Sequence, residues 1–322
     1  MAPAGHVRFK KGQADVITVW RGSANTWDCD EMGHMNVRIY VEKAMEGIAN
    51  FAARIELPLA FKQGGTSTLM PKRQHMRFIR EVHPGRPLNM QACILEIGAD
   101  SFWLYQELRH GDGTPAAAFR TELQHVTSKT GRPFAWSERT RKALETYRDT
   151  PPEDTQPRSL DPNQLTLEAA DARLETVHSV GAPLIGVGTV RADQCDLNNR
   201  MRTEWFMGRI SDSVPNLLYD WRAKVAAAAG DKPMGAAVLE YLMVYRGWPQ
   251  TGDRFEIYSS LARAERKYHS IVHWMIDPAT GKAWLTSEAI AVTFDLEARK
   301  ILPTEADQMD QLSILAPPGL RV

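Results

Sequence analysis

Three cysteines in 322 residues, Cys29, Cys93 and Cys195, are too few and too scattered for a disulfide framework or a four-ligand zinc site. Buried thiols are the expectation for all three. No run of about 18 apolar residues is present, so no membrane-spanning helix is expected. The opening segment MAPAGHVRFKKGQADVITVW has no apolar stretch long enough for a signal-peptide core. The expected location is therefore the cytoplasm. An excess of basic charge is missing too, because 39 lysines and arginines are matched by 39 aspartates and glutamates. Phosphate-dominated binding normally needs such an excess, so neither a nucleic-acid nor a membrane partner is expected. Glycine-rich phosphate loops and nicotinamide fingerprints are absent. His75, His83 and His110 have no carboxylate or cysteine at ligand spacing, so no metal is expected.

What is present is enough for two domains, each able to bury its own core. Apolar residues make up 43% and charged residues 24%, a mixture that points to a folded globular protein rather than a disordered or fibrous one. The stretch WDCDEMGHMNVRIYVEKAMEGI, from Trp27 to Ile48, is echoed by DQCDLNNRMRTEWFMGRISDSV, from Asp193 to Val214. Setting Cys29-Asp30 on Cys195-Asp196 pairs Met35 with Met201, Tyr40 with Phe206 and Glu46 with Asp212. At nearly the same offset Gly85 falls opposite Gly252. Repetition on this scale means one unit of about 140 residues, duplicated and fused.

Each copy reads as a short strand, a helix and several long antiparallel strands. In the first helix Ile39, Tyr40, Ala44, Ile48, Phe51, Ala52 and Ile55 share one face at steps of three and four. In the second, Phe206, Ile210, Val214, Leu217 and Trp221 do the same. Each copy then continues in period-two segments split by turns rich in Gly, Pro and Asp. The expected organisation is a first unit over residues 1–149, a polar linker over 150–175 and a second unit over 176–322.

The motif carried by Asp30, Gly33, His34 and Asn36, with Tyr40 four residues beyond and Glu46 further along the helix, resembles that of hotdog-fold acyl-CoA thioesterases of the hydroxybenzoyl-CoA thioesterase-like group. The resemblance implies an α+β fold: two tandem hotdog units, each a long helix wrapped by an antiparallel sheet, forming an intrachain pseudo-dimer. Homo-oligomers of such chains are common in the family. It also implies an acyl-CoA substrate, hydrolysed to a free acid and coenzyme A with no cofactor and no metal. Hotdog enoyl-CoA hydratases or dehydratases and non-catalytic acyl-CoA binding proteins are the alternatives. Hydratases space Asp and His five apart with an intervening Asn-Pro, whereas His34 follows Asp30 by four.

Thioester hydrolysis needs a nucleophile at the carbonyl and a positive field for its oxygen, but hardly an acid. A thiol with a pKa of roughly 8.5 leaves readily as thiolate. The outward N–H groups of a helix N-terminus suit the developing oxyanion. By resemblance Asp30 is the general base or the nucleophile, and His34 hydrogen-bonds the thioester or orients water. Backbone N–H groups around Gly33, His34 and Val37 are the oxyanion candidates, and Asn36 holds the turn. Asp28 is expected to face solvent or form a turn, and Glu46 to lie on or near the buried stripe. The second copy keeps Asp196, followed by Asn198, but replaces Gly33, His34 and Asn36 with Asn199, Arg200 and Arg202. One functional site around Asp30 is the expectation, with Asp196, Asn198 and Glu46 as accessory candidates. Tyr40, Arg73, Arg77, Arg80 and Arg266 are the candidates for substrate contact, the arginines for coenzyme A phosphates.

Overall fold

The computed structural model describes residues 17–225, 234–295, 300–304, 309, 316–317 and 320. The chain divides into two compact units, residues 1–157 with 196–198, and residues 158–195 with 199–322.

The first unit contains strand β1 (Ile17–Ser23), helix α1 (Val37–Arg54), strands β2 (Ser67–Phe78), β3 (Pro87–Ile97), β4 (Ser101–His110) and β5 (Pro115–Thr127), and helix α2 (Glu138–Thr146). Its strands pair antiparallel in the order β1-β3-β4-β5-β2. The second unit contains α3 (Leu174–Ser179), β6 (Leu184–Thr189), α4 (Thr203–Val225), β7 (Met234–Tyr245), β8 (Arg254–Ala264), β9 (His269–Ile276), β10 (Ala283–Asp295) and β11 (Lys300–Leu302). Here the antiparallel order is β6-β8-β9-β10-β7, with β11 pairing β10. The two orders are the same path drawn twice, so the sequence repeat is a repeat of topology. These are two tandem hotdog units of an α+β fold.

The helical stripes are the faces that pack. Ile39, Tyr40, Ala44, Ile48, Phe51, Ala52 and Ile55 are all buried, as are Phe206, Ile210 and Leu217. Val214 is half-buried, and the side chain of Trp221 lies outside the described residues. Gly47 lets α1 approach its sheet closely: a Cβ there would stand 2.7 Å from Gln106 Nε2 and 3.1 Å from Met90 Sδ. The buried Gln106 amide uses that proximity, donating to the Ala44 carbonyl at 2.9 Å. Burying a polar side chain against a helix is tolerable only with such a partner.

Residues 150–175, read from sequence as a linker, are tied down within each unit. Tyr105 donates its hydroxyl to Thr155 Oγ1 at 2.7 Å, and Arg120 Nη1 donates to the Thr155 carbonyl at 3.0 Å. Further on, the Arg158, Ser159 and Leu160 N–H groups donate to the Glu240 carboxylate at 2.6, 2.7 and 3.2 Å. Leu160 packs with Leu242 and Ile290, and Leu167 and Ala172 are buried too, so the segment is ordered by hydrogen bonds and by its few apolar side chains together.

Candidate active site

The entrance to α1 is built by a tight local turn. Asp30 Oδ1 accepts the N–H groups of Met32 at 3.0 Å and His34 at 3.3 Å. The Asp30 N–H donates to the His34 carbonyl at 2.9 Å, and the Gly33 N–H to the Asp30 carbonyl at 3.0 Å. Gly33 sits at φ +75°, a left-handed conformation that a side chain would strain. The turn closes in a single bridge between Cys29 and Met35. Beyond it Asn36 is the helix N-cap, its side chain accepting the Arg38 N–H at 2.9 Å.

This geometry narrows the oxyanion candidates. The Gly33 and His34 N–H groups are consumed by the carbonyl and carboxylate of Asp30, and are removed from the set expected from sequence. A backbone donor folded into its own turn cannot also meet a substrate without breaking it. Val37 remains: it is the first residue of α1, and among the described residues its N–H has no acceptor. Asp30 Oδ2 is the oxygen the turn leaves over.

His34 lies half-buried beside two further side chains. Its Nε2 is 3.3 Å from Glu81 Oε2, and the same oxygen is 3.7 Å from His83 Nε2. The His83 Nδ1 lies 3.2 Å from the Gly33 carbonyl, and the two imidazoles meet edge to face with centroids 5.0 Å apart. His83 thus does have a carboxylate nearby, two residues before it, contrary to the expectation from spacing. That pair was legible in the sequence; only His34, from a separate segment, is brought to it by the fold.

Several sequence candidates take other roles. Glu46 is exposed rather than buried, and its carboxylate accepts the indole N–H of Trp20 from β1. The buried stripe passes on either side of it, through Ala44 and Gly47, while Glu46 itself points towards Trp20 of β1. Tyr40 is in the core, packed edge to face on Phe78 at 5.1 Å, and burial pushes its phenol well above its ordinary pKa. Arg73 is committed to Glu122 at 2.7 Å and to the face of Trp103, and Arg77 to the carbonyls of Asp154 and Gln156 at 2.8 and 2.7 Å. Arg80 and Arg266 are exposed.

Asp28, expected to face solvent or form a turn, forms a turn and is buried. It caps its own turn by accepting the Asn25 N–H at 2.9 Å, and it faces the buried Lys43 ammonium at 3.7 Å. Lys43 in turn lies over the Trp20 ring. The i to i+15 spacing of this pair is neither a helical nor a strand repeat, so no local rule could have found it. In the first unit, burial, then Asp28 and Asp30, raises the pKa of Cys29, and burial pushes Cys93 up to about 12, both away from the thiolate.

The second copy of the motif keeps the frame and changes the side chains around it. Asp196 Oδ1 accepts the Asn198 N–H at 2.8 Å, Asn199 takes the left-handed position at φ +55°, and Cys195 bridges Met201. At the mouth of α4, however, Arg202 replaces the capping Asn36 and pairs with Glu204 at 3.2 Å and the Asp193 carbonyl at 3.0 Å.

Among solved structures the chain is similar to an acyl-ACP thioesterase from Bacteroides thetaiotaomicron, at 12% identity and TM-score 0.61, covering 86% of this chain and 97% of that one. It is also similar to the 12:0-ACP thioesterase from Umbellularia californica, at 11% identity and TM-score 0.63, over 86% and 93%. A Lactobacillus plantarum protein described as an oleoyl thioesterase aligns at 11% identity and TM-score 0.64, over 90% and 98%. At such identities the likeness is one of fold. No curated protein matches the sequence. The profile of the thioesterase-like superfamily matches twice, over residues 24–144 and 190–312. With both hotdog units matched over most of their length, the chain belongs to the thioesterase-like superfamily.

Proposed function

We propose that this thioester hydrolase cleaves acyl-CoA to free acid and coenzyme A at one site, at the entrance to α1. Asp30 Oδ2 activates water or attacks the carbonyl itself, giving a mixed anhydride that water then opens. The Val37 N–H, backed by the positive end of the α1 dipole, receives the oxyanion. His34 orients water or the thioester, held in place by Glu81. The thiolate departs without needing a strong acid, since its conjugate thiol has a pKa of roughly 8.5. Exposed Arg80 is the candidate for a coenzyme A phosphate in the first unit and Arg266 in the second, while Arg73 and Arg77 brace the fold.

The observation that carries this proposal is the division of labour within one turn. Asp30 Oδ1 is spent on holding the loop at 3.0 and 3.3 Å, which fixes Oδ2 in the same step. A carboxylate serving only as a helix cap is an inferior explanation, because Asn36 already caps α1.

The test is release of free thiol from a panel of short, branched, aromatic and long-chain acyl-CoAs, with the same acyl groups on acyl carrier protein alongside. Cleavage of acyl-CoA supports the proposal, and the panel names the acyl class. Cleavage confined to carrier-protein thioesters would move the substrate assignment while keeping the chemistry. Hydration of enoyl-CoA without hydrolysis would overturn the mechanism.

A further inference from the structure

We propose that His34, Glu81 and His83 form a binding site for one zinc-class divalent cation at the entrance to α1. The three ligand atoms all lie within 4.8 Å of one another. Two of the separations, 3.3 Å and 3.7 Å, are close to the span of about 3.4 Å between neighbouring ligands of a tetrahedral ion with bonds near 2.1 Å. Small side-chain rotations therefore suffice to close the set.

The orientation is prepared by the backbone. The Met35 N–H donates to the Val82 carbonyl at 2.8 Å, stitching the turn before α1 to the segment after β2. Val82 is fully buried between the exposed Glu81 and His83, so both flanking side chains are directed outward. The 3.2 Å approach of His83 Nδ1 to the Gly33 carbonyl fixes an N–H on that nitrogen and leaves the Nε2 lone pair for a cation. A backbone carbonyl in that position is the usual outer support of a metal-binding imidazole.

The donor set selects the ion. Two imidazoles and one carboxylate suit zinc and its late first-row neighbours, whereas magnesium and calcium prefer oxygen alone. Three protein donors also leave a fourth position for water or another ligand.

The second unit supplies an internal comparison. Its Met201 N–H donates to the Pro249 carbonyl at 2.8 Å, the same stitch, which places Trp248 and Gln250 where Glu81 and His83 stand and Arg200 where His34 stands. The frame is repeated without a single donor, so the site is specific to the first unit and one ion per chain is expected. The ion would share His34 and Glu81 with the site proposed for hydrolysis, but the titration reads binding and not turnover, so failure of either proposal is distinguishable from failure of the other.

The experiment uses the untagged, metal-stripped full chain, titrated with zinc in calorimetry and in competition with a chromophoric chelator. Wild type is expected to bind one equivalent, and His83→Ala and Glu81→Gln each to lower the affinity by about tenfold or more. His178→Ala, an exposed histidine in α3, serves as the control and should bind as wild type does. Cobalt provides a second readout, with visible bands of a four-coordinate site in wild type that are lost in both cluster variants. Failure of wild type to compete with the chelator would overturn the proposal. Equal affinity of wild type and His83→Ala would overturn it as well, assigning the zinc to other histidines.

Discussion

Replacing Asp30 by Asn separates the structural from the chemical use of one carboxylate. The Asn side-chain oxygen can accept the Met32 and His34 N–H groups just as Oδ1 does at 3.0 and 3.3 Å, so the turn survives. Two charge-assisted bonds become neutral ones, which costs about 1 kcal/mol of stability in total. Loss of a general base typically lowers the rate by about 100- to 10,000-fold, equivalent to about 3–5 kcal/mol of transition-state stabilisation. The prediction is thus a loss of turnover far larger than the loss of stability. Thiol release from the best acyl-CoA, with urea unfolding of the same preparations, measures both. Asp196→Asn, in the second copy, should stay within about twofold of wild type in kcat/KM. A folded Asp30→Asn protein that keeps more than about a tenth of wild-type kcat/KM would refute the assignment.

Three further outcomes follow from the packing. Asp28→Ala leaves the Lys43 ammonium buried without its carboxylate and should destabilise the chain by about 3 kcal/mol; Lys43→Met added to it should recover part of the loss in urea melts. Gly47→Ala drives a methyl group to within 2.7 Å of Gln106 Nε2, and should lower the unfolding free energy by about 1–3 kcal/mol, whereas an added methyl elsewhere on a solvated helix face would be harmless. The His273 ring is fully buried against Ser259 Oγ at 2.6 Å, and burial lowers its pKa from 6.5 to about 3. Between those values the unfolded chain binds a proton that the folded one does not, so stability is complete above pH 6.5 and falls as the pH drops towards 3. Moving from about pH 7 to about pH 5 should cost about 2 kcal/mol through this residue, and His273→Gln should remove that share of the pH dependence in denaturant titrations.

Much of the architecture follows from periods that are local in the chain. The repeat, the two helical faces, the antiparallel hairpins and the helix entrance at Asp30 all depend on spacings of two to four residues or on direct self-similarity, and these survive in a single sequence. Even the left-handed position of the entrance turn is legible, since Gly33 in one copy and Asn199 in the other are residues that adopt it with little strain.

The partners of the site were decided by tertiary structure. Periodicity gives the direction in which Glu46 points, but only the neighbouring β1 determines that this direction holds the Trp20 indole and not the core. Asp28 meets Lys43, Arg77 reaches the carbonyls of Asp154 and Gln156, and His34 meets Glu81, all across separations that no local rule spans. Which N–H groups the entrance turn uses up is likewise visible only in the folded turn, where those of Gly33 and His34 are bonded to Asp30. Local sequence sets the conformation of each segment. Whether a polar group is spent or available depends on strand register and on the segments brought beside it, and that is a property of the folded chain.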